Sequence, residues 1–499
     1  MTPVAGVILI GELALWVALL MAAWTTIVSF AGGSSRRDDL IISGYRGMHA
    51  TFAMTLLASI GLWTGLLGRD LSLRYVADRV SADTRALHAF MAFWSGQEGS
   101  LLLWALILSV CSVIAIGYAS RRHPELAPFA NGTLAAVILL LIASLAFRAN
   151  PFIRNLWVSP DGGGPSPELA VPGIAVHQPA LFLGYIATAI PFAFAVAALI
   201  SRRMLNEWVG IVRRWALVAW FFLTLGILLR MWWMYVVLGS GRYWNGSLAE
   251  NASLLPWVTT STLLHSLTIR ERGPRKWSVL LIVASFLLSM LALFLTRRDT
   301  IGGVGTGFAA FAMFAAVAAI QLMSPNQRRP GRYLVRGGIV MLFVAFGGMA
   351  FRADHDVVLR GGESHEITDP YGRRWRFVSQ GLSLYRRQNS EVLSMGLEAW
   401  RDGRLVRVLR PEQRSHFNAQ RQQVSGPSTG VAWLSGPILD TYVVLAGVPE
   451  SETADLHVSF NPLVLWVWIG GSAMLIGGLI VMWPETEDPD LDAPVGGLS

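Results

Sequence analysis

Two histidines in apolar surroundings are the residues of this sequence best suited to bind a metal or a haem iron. His177 follows a loop rich in proline and glycine and begins an apolar stretch, and His265 lies near the end of another. A neutral imidazole ligates metals and haem iron, and ionisable side chains within membrane segments are usually functional. The alternatives are a histidine that caps a helix start, for His177, and one that reaches the membrane interface, for His265.

Aromatic and polar side chains are concentrated between these two histidines. They are Trp232, Trp233, Tyr243, Trp244, Glu250, Asn251 and Trp257. Tryptophan and tyrosine favour the membrane interface, where the ring is half buried while its N–H or O–H stays hydrated. This pattern leaves two interpretations open, an interfacial anchor belt or a platform for a flat amphipathic ligand.

The composition is that of a membrane protein. Hydrophobic residues make up 53% of the chain and charged residues only 14%, whereas soluble domains have about a quarter charged residues. The net charge of +8 is explained by arginines in cytoplasmic loops and does not require nucleic acid. The single cysteine, Cys111, excludes a disulfide framework, CxxC redox chemistry and covalent haem attachment through CxxCH.

Eleven apolar stretches are long enough to cross a membrane, which takes roughly 20 residues. We place them at 4–30, 40–68, 99–119, 129–148, 178–200, 215–238, 250–269, 277–296, 306–323, 333–351 and 462–483. The arginine-rich loops fall mostly on one side, so the N-terminus is expected outside and the C-terminus in the cytoplasm. The predicted fold class is an all-α polytopic membrane protein with a small extracytoplasmic β-barrel-like domain.

The chain divides into four predicted parts. A transmembrane core spans 1–351 and includes the Trp-rich outer loop at 232–257. The segment 352–461 contains short, alternating or β-branched runs separated by Gly, Pro and Asp, a pattern typical of a small β domain. A final transmembrane helix follows at 462–484, and a tail at 485–499 is expected in the cytoplasm.

Many short segments, in the same order along the chain, resemble the haem lyase family of cytochrome c maturation (the CcmF/NrfE type). They include FWSGQEGSLLLW at 93–104, RANPF at 148–152, IAVHQPALFLGY at 174–185, ENASLLPW at 250–257, LLHS at 263–266 and NPLVLWVWIGG at 461–471. The resemblance implies a multi-pass protein of the bacterial inner membrane that handles haem at its outer face and holds a second, b-type haem non-covalently within the membrane. The implied partners are a haem chaperone, apocytochrome c with its thiol-reducing proteins, other maturation subunits and membrane lipid, without nucleic acid.

The resemblance also assigns residues, and it shows departures from the family pattern. It implies that His177 is the first outer iron ligand and His265 the first ligand inside the membrane, while Gly305 and Arg336 stand where the family has the partner histidines. Glycine has no donor atom and arginine stays protonated, so neither can ligate iron. We therefore expect His88 to serve as the replacement outer ligand, and Arg336 to neutralise a haem propionate.

Two further departures concern the aromatic loop and the chain length. The family's Trp-Trp-x-Trp-Asp core reads Tyr-Trp-Asn-Gly-Ser at 243–247, and a block of helices before the β domain is expected to be missing. Two functions remain open: a haem-handling protein that takes part in haem attachment to apocytochrome c, or a degenerate paralogue that acts as a scaffold without lyase activity. A transporter with an aromatic vestibule ranks below both, because no pair of broken helices marks a substrate site.

Overall fold

The computed structural model describes residues 3–82, 84–156, 162–164, 173–201, 208–236, 239, 241–267, 276–295, 317, 330–387, 390–416, 428–447 and 453–483. Its helices are α1 (Pro3–Ser35), α2 (Asp38–Leu67), α3 (Arg74–Ala77), α4 (Ala86–Ser95), α5 (Gln97–Arg122), α6 (Ala127–Arg148), α7 (Gly173–Ala187), α8 (Ala189–Ile200), α9 (Val209–Val236), α10 (Leu248–Ser266), α11 (Lys276–Leu295), α12 (Pro330–Gly348) and α13 (Val464–Met482).

The predicted membrane spans correspond closely to these helices. Eight helical spans within the described ranges are long and apolar enough to cross a membrane, and they coincide with eight of the eleven predicted stretches. α10 and α11 coincide with two more, although α10 carries Glu250 and His265 and the apolar part of α11 is shorter. The stretch predicted at 306–323 lies outside the described residues, apart from residue 317. The chain is therefore a multi-pass membrane protein, and the predicted fold class is confirmed.

Glycines allow several of these helices to pack with their backbones in close contact. α1 and α2 cross where a Cβ on Gly61 would lie 2.7 Å from the Cα of Gly11. α12 and α13 cross at Gly331, where a Cβ would lie 2.6 Å from the carbonyl oxygen of Gly477. Such small residues let membrane helices gain van der Waals contact, which is a main source of helix association in lipid.

The β domain consists of two antiparallel sheets between α12 and α13. Its strands are β1 (Ala353–Arg360), β2 (Ser364–Thr368), β3 (Arg374–Arg387), β4 (Ser390–Arg401), β5 (Arg404–Leu409), β6 (Glu412–His416), β7 (Ser428–Gly430), β8 (Ala432–Leu434), β9 (Leu439–Gly447) and β10 (Thr453–Pro462). One sheet has the order β1-β10-β9-β8, and the other β2-β3-β4-β6-β7 with β5 paired to β4. Trp375, Phe377, Leu397, Leu456 and Phe460 are buried in their shared core. The predicted β domain is thus confirmed.

Asp369 closes the turn between β2 and β3, and its side chain is fully buried. Its oxygens accept hydrogen bonds from the indole of Trp375, the Tyr371 amide, and the amide and Nε of Arg373. Burial by itself raises the pKa of Asp369, but the hydrogen bonds from Trp375 and Arg373 outweigh burial and hold the pKa below its usual range. The ionised form is therefore the one that stabilises the fold.

We expect Asp369→Ala to lower the free energy of unfolding of the β domain by about 2–3 kcal/mol, because buried donors lose their acceptor. Because the folded pKa of Asp369 is lowered, its contribution is complete above the ordinary aspartate pKa and is lost as the pH falls through the folded pKa. Thermal unfolding followed by near-ultraviolet circular dichroism, at neutral and acidic pH, measures both effects. Asp402→Asn, at an exposed turn, is the control and should leave the melting temperature unchanged. Equal melting of the two variants at neutral pH would contradict the prediction.

Candidate functional site

The position of the first candidate histidine is set by close packing of α7 against α9. A Cβ on Gly184 would lie 2.7 Å from the Leu223 nitrogen, and one on Gly226 would lie 2.7 Å from the Leu181 nitrogen. Both glycines therefore permit direct contact between the two backbones. The contacts Leu181–Gly226 and Gly184–Leu223 also show that the two helices run antiparallel, since the residue number rises in one helix as it falls in the other.

This register places His177 level with Arg230. His177 lies four residues before Leu181 on α7, and Arg230 lies four residues after Gly226 on α9, so each is one helical turn from the same contact. The His177 imidazole stacks on the indole of Trp233, with ring centroids 5.5 Å apart and an interplanar angle of 28°. His177 is only 2% exposed. The candidate iron ligand is thus buried between α7 and α9, rather than lying open on the surface.

Glu250 ties the aromatic loop to α10 and faces α9. Ser247 caps the helix by accepting the Glu250 amide at 3.2 Å, and Glu250 Oε2 accepts the amides of Ser247 at 2.9 Å and Asn245 at 3.1 Å. The other oxygen, Oε1, lies 4.0 Å from a terminal nitrogen of Arg230. Since Glu250 is 1% exposed, this buried carboxylate depends on these donors and on the nearby guanidinium.

The rings of the aromatic loop pack mainly against protein. Tyr243 and Trp244 are 3% and 2% exposed, and both contact the ring of Phe346 on α12. The Tyr243 hydroxyl donates to the Ala345 carbonyl at 2.9 Å. Burial raises the pKa of Tyr243, so the hydroxyl stays protonated and able to donate. In this arrangement Tyr243 and Trp244 join the loop to α12.

The remaining residues predicted around the loop divide between buried and exposed positions. Trp257 is 2% exposed and donates from its indole nitrogen to the Thr224 hydroxyl of α9 at 2.9 Å. Asn251 donates to the Gly246 carbonyl at 3.1 Å. Trp232, by contrast, is 40% exposed. Trp232 is therefore the member of the predicted aromatic set that could serve as an interfacial anchor.

Hydrogen bonds and an ion pair join the β domain to the end of α9 and to the aromatic loop. The Tyr235 hydroxyl donates to Asp440 Oδ2 at 3.1 Å, and the Tyr442 hydroxyl donates to the Tyr235 carbonyl at 2.8 Å. Arg242 in the loop lies 3.8 Å from Asp354 of β1. Burial raises the pKa of the Asp440 carboxyl. We call the end of the helical core that carries these contacts the β-domain end.

His265 lies at the opposite end of α10. It is 15 residues beyond Glu250, which corresponds to roughly 22 Å along a helix axis. The guanidinium of Arg336, on α12, is close enough to act electrostatically on the half-buried His265 imidazole. Next to it, the hydroxyls of Ser266 and Ser278 are hydrogen-bonded at 2.7 Å. The two positions that the resemblance assigned to one membrane site thus lie within electrostatic range of each other.

His88 lies on α4, a short helix that contacts α7. Its side chain is half-buried, and burial together with the nearby charge of Arg85 lowers the pKa of His88. A neutral imidazole is the form that ligates iron. Gly305 lies outside the described residues.

Across the described ranges, no group of three or more His, Cys, Asp or Glu side chains is arranged to hold a metal ion.

The sequence analysis did not predict the contact of Arg230 with Glu250 or that of Tyr235 with Asp440. The Arg230–Glu250 pair had a signal in the sequence, because an arginine and a glutamate occur in successive apolar segments. The contact between Tyr235 and Asp440 had none, because these residues are 205 positions apart.

Comparisons with known proteins identify a family and relatives for much of the chain. A family model described as "Cytochrome C assembly protein" matches residues 94–301. The chain is similar to the cytochrome c-type biogenesis protein CcmF of Pseudomonas aeruginosa, with 38% identity over 61% of this chain and 46% of that protein. CcmF of Escherichia coli is 33% identical over 67% of this chain and 50% of the relative, and a probable NrfE from the same organism is 34% identical over 60% and 55%. The chain spans about half the length of these curated relatives.

A solved structure has the same fold over nearly its whole length. The structure titled "Cytochrome c Heme Lyase CcmF" superposes with a TM-score of 0.76 at 20% identity, covering 96% of this chain and 98% of that one. With the eight apolar spans, these relatives indicate a multi-pass protein of the inner membrane. Residues 94–301 belong to the cytochrome c assembly protein family, and the relatives that match the chain are of the CcmF and NrfE types.

Proposed function

We propose that this protein handles haem in cytochrome c biogenesis, holding a b-type haem at its β-domain end and taking part in haem attachment to apocytochrome c. The observation that carries the proposal is His177, buried against Trp233 and level with Arg230, within a fold shared with a cytochrome c haem lyase. The relatives' names point to the same pathway.

The residues at this level fit a haem in their chemistry. The His177 imidazole can ligate iron, and the indole of Trp233, next to it, suits a flat aromatic ring. Trp233 Nε1 and Arg230 Nε are buried and have no hydrogen-bond partner among the described residues, so each has an N–H free for a bound group. Bound haem would supply the iron and the vinyl groups to which a partner's thiols are joined. The Glu250 carboxylate would hold the loop in place around it.

A second site is proposed at the opposite end of α10. There His265 would ligate a haem inside the membrane, and Arg336 would neutralise a propionate rather than bind iron. At the β-domain end, His88 would be the replacement iron ligand, because its helix contacts the one that carries His177. These assignments account for both positions where the family histidine is absent.

We further propose that the N-terminus and the β domain lie outside the cytoplasm and that the C-terminus lies inside. The arginine-rich loops support this orientation through the positive-inside rule. A haem chaperone, apocytochrome c with its reducing proteins, and other maturation subunits would then meet the protein at the β-domain end. The contacts of Tyr235 with Asp440 and Tyr442 would transmit their docking to the aromatic loop.

The test is an absorption spectrum of the detergent-purified protein, co-expressed with the haem chaperone, oxidised and then reduced with dithionite. We expect a b-type spectrum, and with both sites filled His177→Ala and His265→Ala should each lose about half of the bound haem, because each removes one iron ligand. His88→Ala should shift the spectrum of the site at the β-domain end. His365→Ala, at an exposed position of β2, is the control and should leave the haem spectrum unchanged. A haem-free protein would support the scaffold function instead.

A further inference from the structure

Only some of the N–H donors of the Arg230 guanidinium contact other protein groups. Arginine carries five N–H donors in a planar fork. One terminal nitrogen lies 4.0 Å from Glu250, the outer limit of an ion pair, and Nε is buried without a hydrogen-bond partner among the described residues. The Arg230 side chain is nevertheless 21% exposed, so part of it can be reached from outside the protein. Arg230 therefore has the capacity to bind a second anionic group.

Trp233 adds a second donor on the same side of α9. It lies three residues after Arg230, so the two side chains are neighbours on one helix face. Trp233 Nε1 is also buried and has no hydrogen-bond partner within the described ranges. Buried donors of this kind are disfavoured unless an acceptor reaches them. Two such donors beside the His177 imidazole indicate a ligand that brings its own acceptor oxygens.

We propose that Arg230, with the indole N–H of Trp233, binds a propionate carboxylate of the haem held by His177. This inference rests on the proposed function, and it names the residue that orients the haem. Arginine binds carboxylates through two parallel N–H···O bonds. Glu250 can lose its weak contact with Arg230 without being left unsatisfied, because its Oε2 is held by the amides of Asn245 and Ser247.

The consequence is a defined orientation of the haem in its plane. In protoporphyrin the two propionates lie along one edge and the two vinyl groups lie on the other side of the ring. Anchoring a propionate at Arg230 would therefore turn the vinyl groups away from its guanidinium. Arg230 would act as a positioning residue.

The experiment compares haem with haem dimethyl ester, in which both propionates are neutral methyl esters. Each is titrated into the detergent-purified apoprotein, and the His177-dependent absorption change gives the two dissociation constants. We expect the protein to bind haem about tenfold more tightly than the ester, as a charge-assisted hydrogen bond implies. Arg230→Gln should bring the ratio close to one. Arg230→Lys should give an intermediate ratio, since it keeps the charge and loses the fork.

Two further variants separate recognition from structural damage. Arg214→Gln changes an arginine near the other end of α9, whose guanidinium lies 5.3 Å from the Tyr118 ring centre, and should leave the ratio unchanged. The double variant Arg230→Gln/Glu250→Gln removes both charges, so neither is left buried alone, and should also lose the preference for haem.

The outcomes distinguish this inference from the function on which it rests. Equal affinity of the unaltered protein for haem and ester, or an unchanged preference in the double variant, would overturn the assignment of Arg230 while leaving haem binding by His177 intact. Uptake of neither porphyrin by the unaltered protein would overturn the proposed haem function, and the assignment of Arg230 with it.

Discussion

Glu250→Ala should lower the free energy of unfolding of the helical core by about 3–5 kcal/mol, because two backbone amides lose their acceptor and the facing guanidinium loses its counter-charge. The change leaves the amides of Asn245 and Ser247 without their acceptor and removes the carboxylate facing Arg230. The aromatic loop should then exchange its amide hydrogens faster. Thermal unfolding and hydrogen–deuterium exchange of residues 243–247 measure the two effects.

Two milder variants identify which part of the Glu250 interaction matters. Glu250→Gln keeps an acceptor oxygen for the two amides and loses only the charge, so we expect a loss of about 1–2 kcal/mol. Ser247→Ala removes the helix cap and should cost about 1 kcal/mol. If Glu250→Ala were no more harmful than Ser247→Ala, the carboxylate would contribute only as part of the capping box, and its place beside Arg230 would have no energetic role.

The capping box also accounts for one departure from the family pattern. The resemblance expects an aspartate at the end of the aromatic core, where this chain reads Asn245-Gly246-Ser247. In the structure, Ser247 supplies the helix cap and Glu250 completes it by accepting the Ser247 amide. An oxygen acceptor is therefore still present at the start of α10. Loss of the aspartate does not by itself imply a degenerate loop.

The spans and the β domain could be predicted because their signals are local. Length and hydropathy identify membrane helices, and alternating short runs identify strands. α10 was predicted although it carries Glu250 and His265, because its apolar residues are numerous enough to reveal the span. The side of the membrane on which each loop lies rests on the arginine distribution and stays a prediction.

The arrangement of the site depended on contacts that no local pattern contains. The resemblance paired the positions of His265 and Arg336, and in the structure the Arg336 charge acts on the His265 imidazole. The burial of Trp244, in contrast, depends on Phe346, about a hundred residues further along the chain. An aromatic loop alone therefore cannot distinguish an open platform from packing against a later helix. The level of His177 relative to Arg230 likewise depends on glycines in two separate helices.

Gly338→Leu should strongly disrupt the contact between α12 and α13. A Cβ on Gly338 would overlap the carbonyl oxygen of Gly470, and it would lie 2.5 Å from Cγ of Met474. A backbone oxygen cannot turn aside as a side chain can, so α12 and α13 must separate. We expect a loss of at least about 3 kcal/mol, the upper range for overpacking, measured by thermal unfolding in detergent.

The neighbouring glycine is a matched control for this prediction. Gly337 is exposed, and nothing lies within 4 Å of a Cβ built on it. Gly337→Leu should therefore leave stability unchanged or raise it by up to about 1 kcal/mol through helix propensity. Because α12 carries both Arg336 and Phe346, separation of α12 from α13 in Gly338→Leu should also reduce bound haem at both proposed sites. Equal melting temperatures for the two variants would show that the glycine contact does not hold these helices together.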